Sequence, residues 1–174
     1  MTTQVIQIIV AALTGGLAGA FVRYFLDRRS EKRRAVLDFY WRVFLEREFR
    51  KHFHYVRPIR VAWPQDKSVL QHFLDLPSDQ KPKETECPND LTPHQNLSIL
   101  LNFWGVLYVS LRDGALDESL TRSLFGNVWQ WHDNFHRDFL AAYQAEAPSK
   151  RPTPDPIWVA AIPFLHEFFN RPSA

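Results

Sequence analysis

LSILLNFWGVLYVSLRDGALDESLTRSLFGNVWQWHDNF, residues 97–135, is the stretch on which the fold turns. Leu97, Leu100, Leu101, Trp104, Leu107, Tyr108 and Leu111 recur at steps of three and four, which places them on one side of a helix. Asp113-Gly114 stops that helix, and Asp117 stands as the cap of the next. Leu120, Leu124, Val128, Trp131, Phe135 and Phe139 then supply a second apolar stripe at steps of four and three. So short a connection predicts an antiparallel helix hairpin. By this reading Trp131 and Phe135 are core, and His132 and His136 sit one step off the stripe as boundary residues.

Upstream of the hairpin, Thr92-Pro93-His94-Gln95 reads as a helix start, with a Thr cap, Pro at the first position and Gln three residues on. The stretch 77–93 holds four prolines and no apolar period, which makes it a loop. Ser68 is placed to cap a short helix, VLQHFLDL. Residues 31 to about 54 form another helix, with Val36, Phe39, Tyr40, Val43, Phe44 and Leu45 on its apolar face. RPIRVAWP (57–64) is expected to end it, Pro58 and Pro64 being helix breakers. Downstream, 148–156 is a second loop. A terminal segment interrupted by Pro163 then packs Trp158, Phe164 and Phe168 back on the hairpin. Strand alternation is missing, so the fold class is all-α.

With 45% hydrophobic and 23% charged residues, the chain is of the folding kind. Fourteen Phe and six Trp supply the rings for a substantial core. A single cysteine, Cys87, excludes an intramolecular disulfide and a CxxC zinc ribbon. The formal charge of +2 is unevenly spread: Arg23, Arg28, Arg29, Lys32, Arg33 and Arg34 outweigh Asp27 and Glu31, leaving +4 between residues 23 and 34 and −2 after them. Such local basicity argues against nucleic acid as a partner, because a nucleic-acid domain carries a basic face.

Ahead of that collar, residues 1–22 contain no charged side chain, and 5–26 reads VIQIIVAALTGGLAGAFVRYFL. Twenty-two helical residues rise about 33 Å, enough for a hydrocarbon core of about 30 Å. A cleavable leader would carry its positive charge before the apolar run. Here the charge follows it, so a retained single-pass anchor is expected, with the N-terminus outside and the rest in the cytoplasm. The resulting layout is an anchor over 1–27, a basic collar over 28–34 and a cytoplasmic helical domain over 35–174, with loops near 77–93 and 148–156. Ala11, Gly15 and Gly19, like Ala12, Gly16 and Ala20, lie four apart and make a stripe against which another membrane helix can dock. Arg28, Arg29, Lys32, Arg33 and Arg34 set topology and meet anionic headgroups.

The segment WHDNFH (131–136) resembles the HExxH pattern of zinc hydrolases. His132 and His136 share one helical face, and Asp133 takes the place of the usual Glu base. A catalytic zinc needs a third ligand, for which His72, His94, His166 and Glu167 are the candidates. No Glu-x-x-His pair, P-loop, dinucleotide glycine pattern or GxSxG elbow occurs, so no cofactor is expected.

The hairpin resembles that of a widespread, uncharacterised bacterial family whose members place one membrane span and a basic helix before a small helical domain. The residues that carry the resemblance are Leu101, Asn102, Phe103, Gly114, Leu116, Asp117, Glu118, Leu120, Phe125, Gly126 and Trp129 or Trp131. It covers roughly 97–140, with the layout of 1–60 in support. The resemblance implies fold and topology and assigns no activity.

Together these readings lead to an inner-membrane interaction protein, an accessory or assembly subunit that docks on other membrane subunits or on its own copies. The alternatives are a membrane-tethered metal-dependent hydrolase using His132 and His136, and a defence or toxin effector acting at the membrane.

Overall fold

The computed structural model describes residues 23–45, 47–67, 69–70, 74, 91 and 93–171. The docking stripe (Ala11, Ala12, Gly15, Gly16, Gly19, Ala20), Ser68, His72, Cys87, Thr92 and the centre of the 77–93 loop lie outside them. So does the expected span over 5–26, apart from helical residues 23–26. No helix among the described residues is long and apolar enough to cross a membrane.

All described secondary structure is helical: α1 (residues 23–40), a π-helical turn (Trp41–Leu45), α2 (Arg47–Ala62), α3 (Pro93–Arg112), α4 (Glu118–Ala145), a 3₁₀ turn (Pro148–Lys150) and α5 (Ile157–Asn170). The hairpin forms where its caps place it. Gly114 adopts φ +66°, the Ala115 N–H donates to Ser110 O at 2.9 Å and the Gly114 N–H to Leu111 O at 3.0 Å. That pair of bonds is a Schellman ending, which needs a residue with positive φ. Three residues on, Asp117 Oδ1 accepts from the Leu120 N–H at 2.9 Å and starts α4.

The helices pack through rings. Trp104 of α3 meets Trp129 of α4 edge to face at 5.1 Å, so these sequence neighbours are held apart by large side chains. The close approach of α3 is to α5, where Gly105 faces Ile157; a Cβ on Gly105 would overlap Ile157 Cγ2. Along α4, Phe169 stacks on Trp129 at 5.7 Å, while Trp158 meets Phe139 at 5.6 Å and Tyr143 at 4.9 Å. α5 therefore runs antiparallel to α4.

Phe103 sets the course of the first two helices. Phe39, Phe49 and Phe53 approach its ring at 5.4, 5.2 and 6.2 Å. Rings that close to a common neighbour stand at most about 12 Å apart, yet the fourteen residues from Phe39 to Phe53 would rise about 21 Å in a straight helix. The chain must bend between them, and the π turn at Trp41–Leu45 is where the regular ladder is broken. α1 descends from Lys32, beside Gly114, to Phe39 and Tyr40, which reach Phe125 at 6.0 and 5.4 Å. α2 carries on from Phe53, near Trp104, to Trp63, which reaches Phe139 at 5.3 Å.

Two expectations need correction. Pro58 does not end the helix; α2 runs through it to Ala62. Pro58 is exposed there, and the missing hydrogen bond leaves a carbonyl that solvent can reach. The buried stripe of α4 is also turned by about one residue from the expected one. It comprises Thr121, Phe125, Trp129, His132, Phe135, His136, Phe139, Leu140 and Tyr143. Leu120, Leu124 and Val128 are half-buried shoulders, and Trp131 is 76% exposed instead of core.

Candidate functional site

That rotation decides what WHDNFH does. His132 and His136 point inward, Asp133 turns toward α5, and Trp131 faces out. The histidines are thus interior residues, not boundary ones. Their rings stack at 5.5 Å and 18°, walled by Phe53 (5.6 Å from His132), Trp129 (5.3 Å from His136), Phe135 (5.7 Å) and Trp104 (6.0 Å). His136 is fully buried. Among the described residues, neither of its ring nitrogens has a hydrogen-bond partner, nor do His132 Nδ1 and the indole N–H groups of Trp104 and Trp129.

Burial pushes the His132 pKa down to about 4, and the Arg60 guanidinium adds to the effect. His136 is driven well below its ordinary value by burial, then by His132 and Arg60. Arg60 itself donates to the Trp131 carbonyl. Both imidazoles are therefore neutral at ordinary pH, the form that ligates metals. Of the proposed third ligands, His166 bonds Asp133 and Glu167 pairs with Arg171 at 2.9 Å. Among the described residues no group of three His, Cys, Asp or Glu is placed to hold a metal ion.

Asp133 has a different task from the base of a zinc site. Its carboxylate, 13% exposed, accepts from His166 Nδ1 at 2.9–3.0 Å and lies 3.6 Å from Arg137 Nε. This bond pins α5 to α4 across the seam between them. Further along the same seam opens a cleft of about 430 Å³, lined by Ser119, Arg122, Ser123, Gly126, Asn127, Gln130, Phe169 and Arg171. No sequence motif marked it, since its residues are individually ordinary and come from two distant segments.

Of the basic collar, Arg28, Arg29, Arg33 and Arg34 are exposed on α1, while Lys32 is half-buried with its Nζ beside Gly114. The collar is thus part of a helix that belongs to the bundle, with Val36 fully buried just after it.

The described residues make an all-α bundle built on an aromatic hairpin. The chain belongs to the family of the domain of unknown function DUF4760, whose model matches residues 1–151. The match takes in the 77–93 loop and stops before α5. No curated protein and no solved structure matches the chain.

Proposed function

We propose that this chain is a membrane-anchored interaction protein, an accessory or assembly subunit of a larger complex in a bacterial inner membrane or of a homo-oligomer. The observation that carries the reading is the join between the uncharged stretch and the bundle. Residues 1–22 have no charge, and the helix that follows carries the collar and then buries Val36 in the core. An anchor joined this way holds the bundle at a fixed height and orientation. Positive charge on its inner side sets the N-terminus outside and the bundle in the cytoplasm, with the collar against anionic headgroups.

Two surfaces then remain for partners. In the bilayer it is the stripe of Ala11, Gly15 and Gly19. On the bundle, Trp131 (76% exposed) and Val61 (69%) are exposed apolar side chains, and Arg60, next to Val61, ties α2 to α4 at the Trp131 carbonyl. Purification of the full chain in mild detergent, followed by native mass measurement, tests the proposal. A defined oligomer or stoichiometric companions are expected, lost on Gly15→Leu/Gly19→Leu. A strict monomer without companions overturns it.

A further inference from the structure

We infer that the cleft between the start of α4 and the end of α5 is a binding site for a phosphate-bearing anion at the collar end of the bundle. Its chemistry comes first. Arg122 of α4 and Arg171, the residue just past α5, both line it, Ser119, Ser123 and Asn127 add uncharged donors, and no carboxylate is among the lining residues. Two guanidinium groups together with hydroxyl and amide donors suit the tetrahedral array of oxygens on a phosphate.

Arg122 is already held in place. Its guanidinium lies 3.9 Å over the Phe168 ring, and Nη1 donates to the Arg171 carbonyl at 3.3 Å. Stacking occupies one face of the group and leaves its remaining edge donors to a ligand, with little side-chain freedom left to lose on binding. Arg171 holds Glu167 at 2.9 Å, and both partners are well exposed, so Arg171 can exchange that carboxylate for a phosphate oxygen at little cost.

The placement favours one source of phosphate. The α3–α4 turn, the first turns of α4 and the last turn of α5 lie at the end of the bundle where Lys32 sits beside Gly114. If the chain crosses the bilayer before residue 27, as proposed above, this is the end that faces the membrane. Lys32 then lies about 9 Å along the helix from Leu26. The cleft opens toward the headgroups of anionic phospholipid. The phosphate chemistry does not depend on the anchor; the lipid source does.

The test uses the full chain in neutral detergent and reads its unfolding midpoint. Phosphatidylglycerol is expected to raise the midpoint by about 5 °C at saturation, and phosphatidylcholine by much less. Most of the rise should vanish in Arg122→Gln/Arg171→Gln and survive in Arg42→Gln/Arg57→Gln, which removes two exposed arginines outside both the cleft and the collar. Should the cleft variant fold poorly, Ser123→Glu places a negative charge on an exposed lining residue and must remove the same part of the rise. Inorganic phosphate at fixed ionic strength forms the second arm. An equal rise with phosphate alone supports the site and assigns it to a soluble ligand. A lipid response kept in full in Arg122→Gln/Arg171→Gln, or lost equally in Arg42→Gln/Arg57→Gln, overturns the site, as does no response to either phosphate source. A chain that responds to phosphate yet fractionates away from membranes sinks the anchoring proposal and leaves the cleft standing.

Discussion

The imidazoles of His132 and His136 lie one on the other inside the core, 5.5 Å between centroids, and His136 has no hydrogen-bond partner among the described residues. Such a pair is stable only while neutral, because an imidazolium there would lose its water without gaining a counter-ion. Their folded pKa values are lowered, to about 4 for His132, against an ordinary 6.5. Between those values the unfolded chain binds more protons than the folded one, so stability falls as the pH drops. His132 alone contributes about 3 kcal/mol of this loss between pH 6.5 and 4. Urea titrations across that range should show it, and His132→Leu should remove about half of the slope that exceeds the carboxylate contribution, His136 supplying the rest.

His136→Leu, a near match in volume, is expected to leave stability at pH 7 unchanged or higher. Replacing unpartnered buried nitrogens by apolar atoms of similar shape removes a desolvation penalty. A loss of more than about 2 kcal/mol would show that the ring nitrogens have a bound partner worth that much.

Trp129 and Trp131 test the orientation of α4. Trp129 is fully buried between Trp104, His136 and Phe169, and Trp131 is 76% exposed. Trp129→Ala should cost about 3–5 kcal/mol, and Trp131→Ala within about 0.5 kcal/mol of nothing. Chemical denaturation of the two variants side by side decides it; equal losses would restore the unrotated stripe.

Gly105→Ala adds a methyl group into Ile157 Cγ2 at the approach of α3 to α5. Cγ2 sits next to the Ile157 backbone and has little room to yield. We expect a net loss of about 1–2 kcal/mol, the overpacking outweighing the gain in helix propensity. Ile157→Ala in the same chain should recover most of it, which a double-mutant cycle on thermal midpoints will measure.

The bond from Asp133 to His166 pins the terminal helix. Asp133→Asn and His166→Ala should each cost about 1 kcal/mol and the pair together no more than the larger, since both remove one interaction. Protease susceptibility of α5 is a second readout that should rise in either variant.

How far the chain could be read before its structure was known depended on the kind of signal. Caps are local, so Asp113-Gly114 and Asp117 marked both edges of the hairpin. The helical face of α4 was misplaced because His132 and His136 count as polar on any transfer scale, while Trp131 counts as apolar. In the fold, the large rings of Phe125, Trp129 and Phe139 decide which face is buried, and neutral imidazoles can follow them in. Pro58 misled for a related reason: its penalty is small where the orphaned carbonyl meets water. Neither the bend at Trp41–Leu45 nor the cleft was legible, since the first comes from packing around Phe103 and the second unites residues about fifty positions apart. The docking stripe and the span remain matters of sequence.

Phe103 has a practical bearing on how this protein can be handled. Three rings supplied by the first two helices close over it, and Phe39 and Tyr40 also cover Phe125. A chain shortened to begin at residue 46, to free it of the apolar leader, would keep Phe49 and Phe53 on Phe103 but lose Phe39 from it. It would also strip both Phe39 and Tyr40 from Phe125, leaving that side of the core open and prone to clump. One begun near residue 28 keeps Phe103 and Phe125 roofed, and with them the fold.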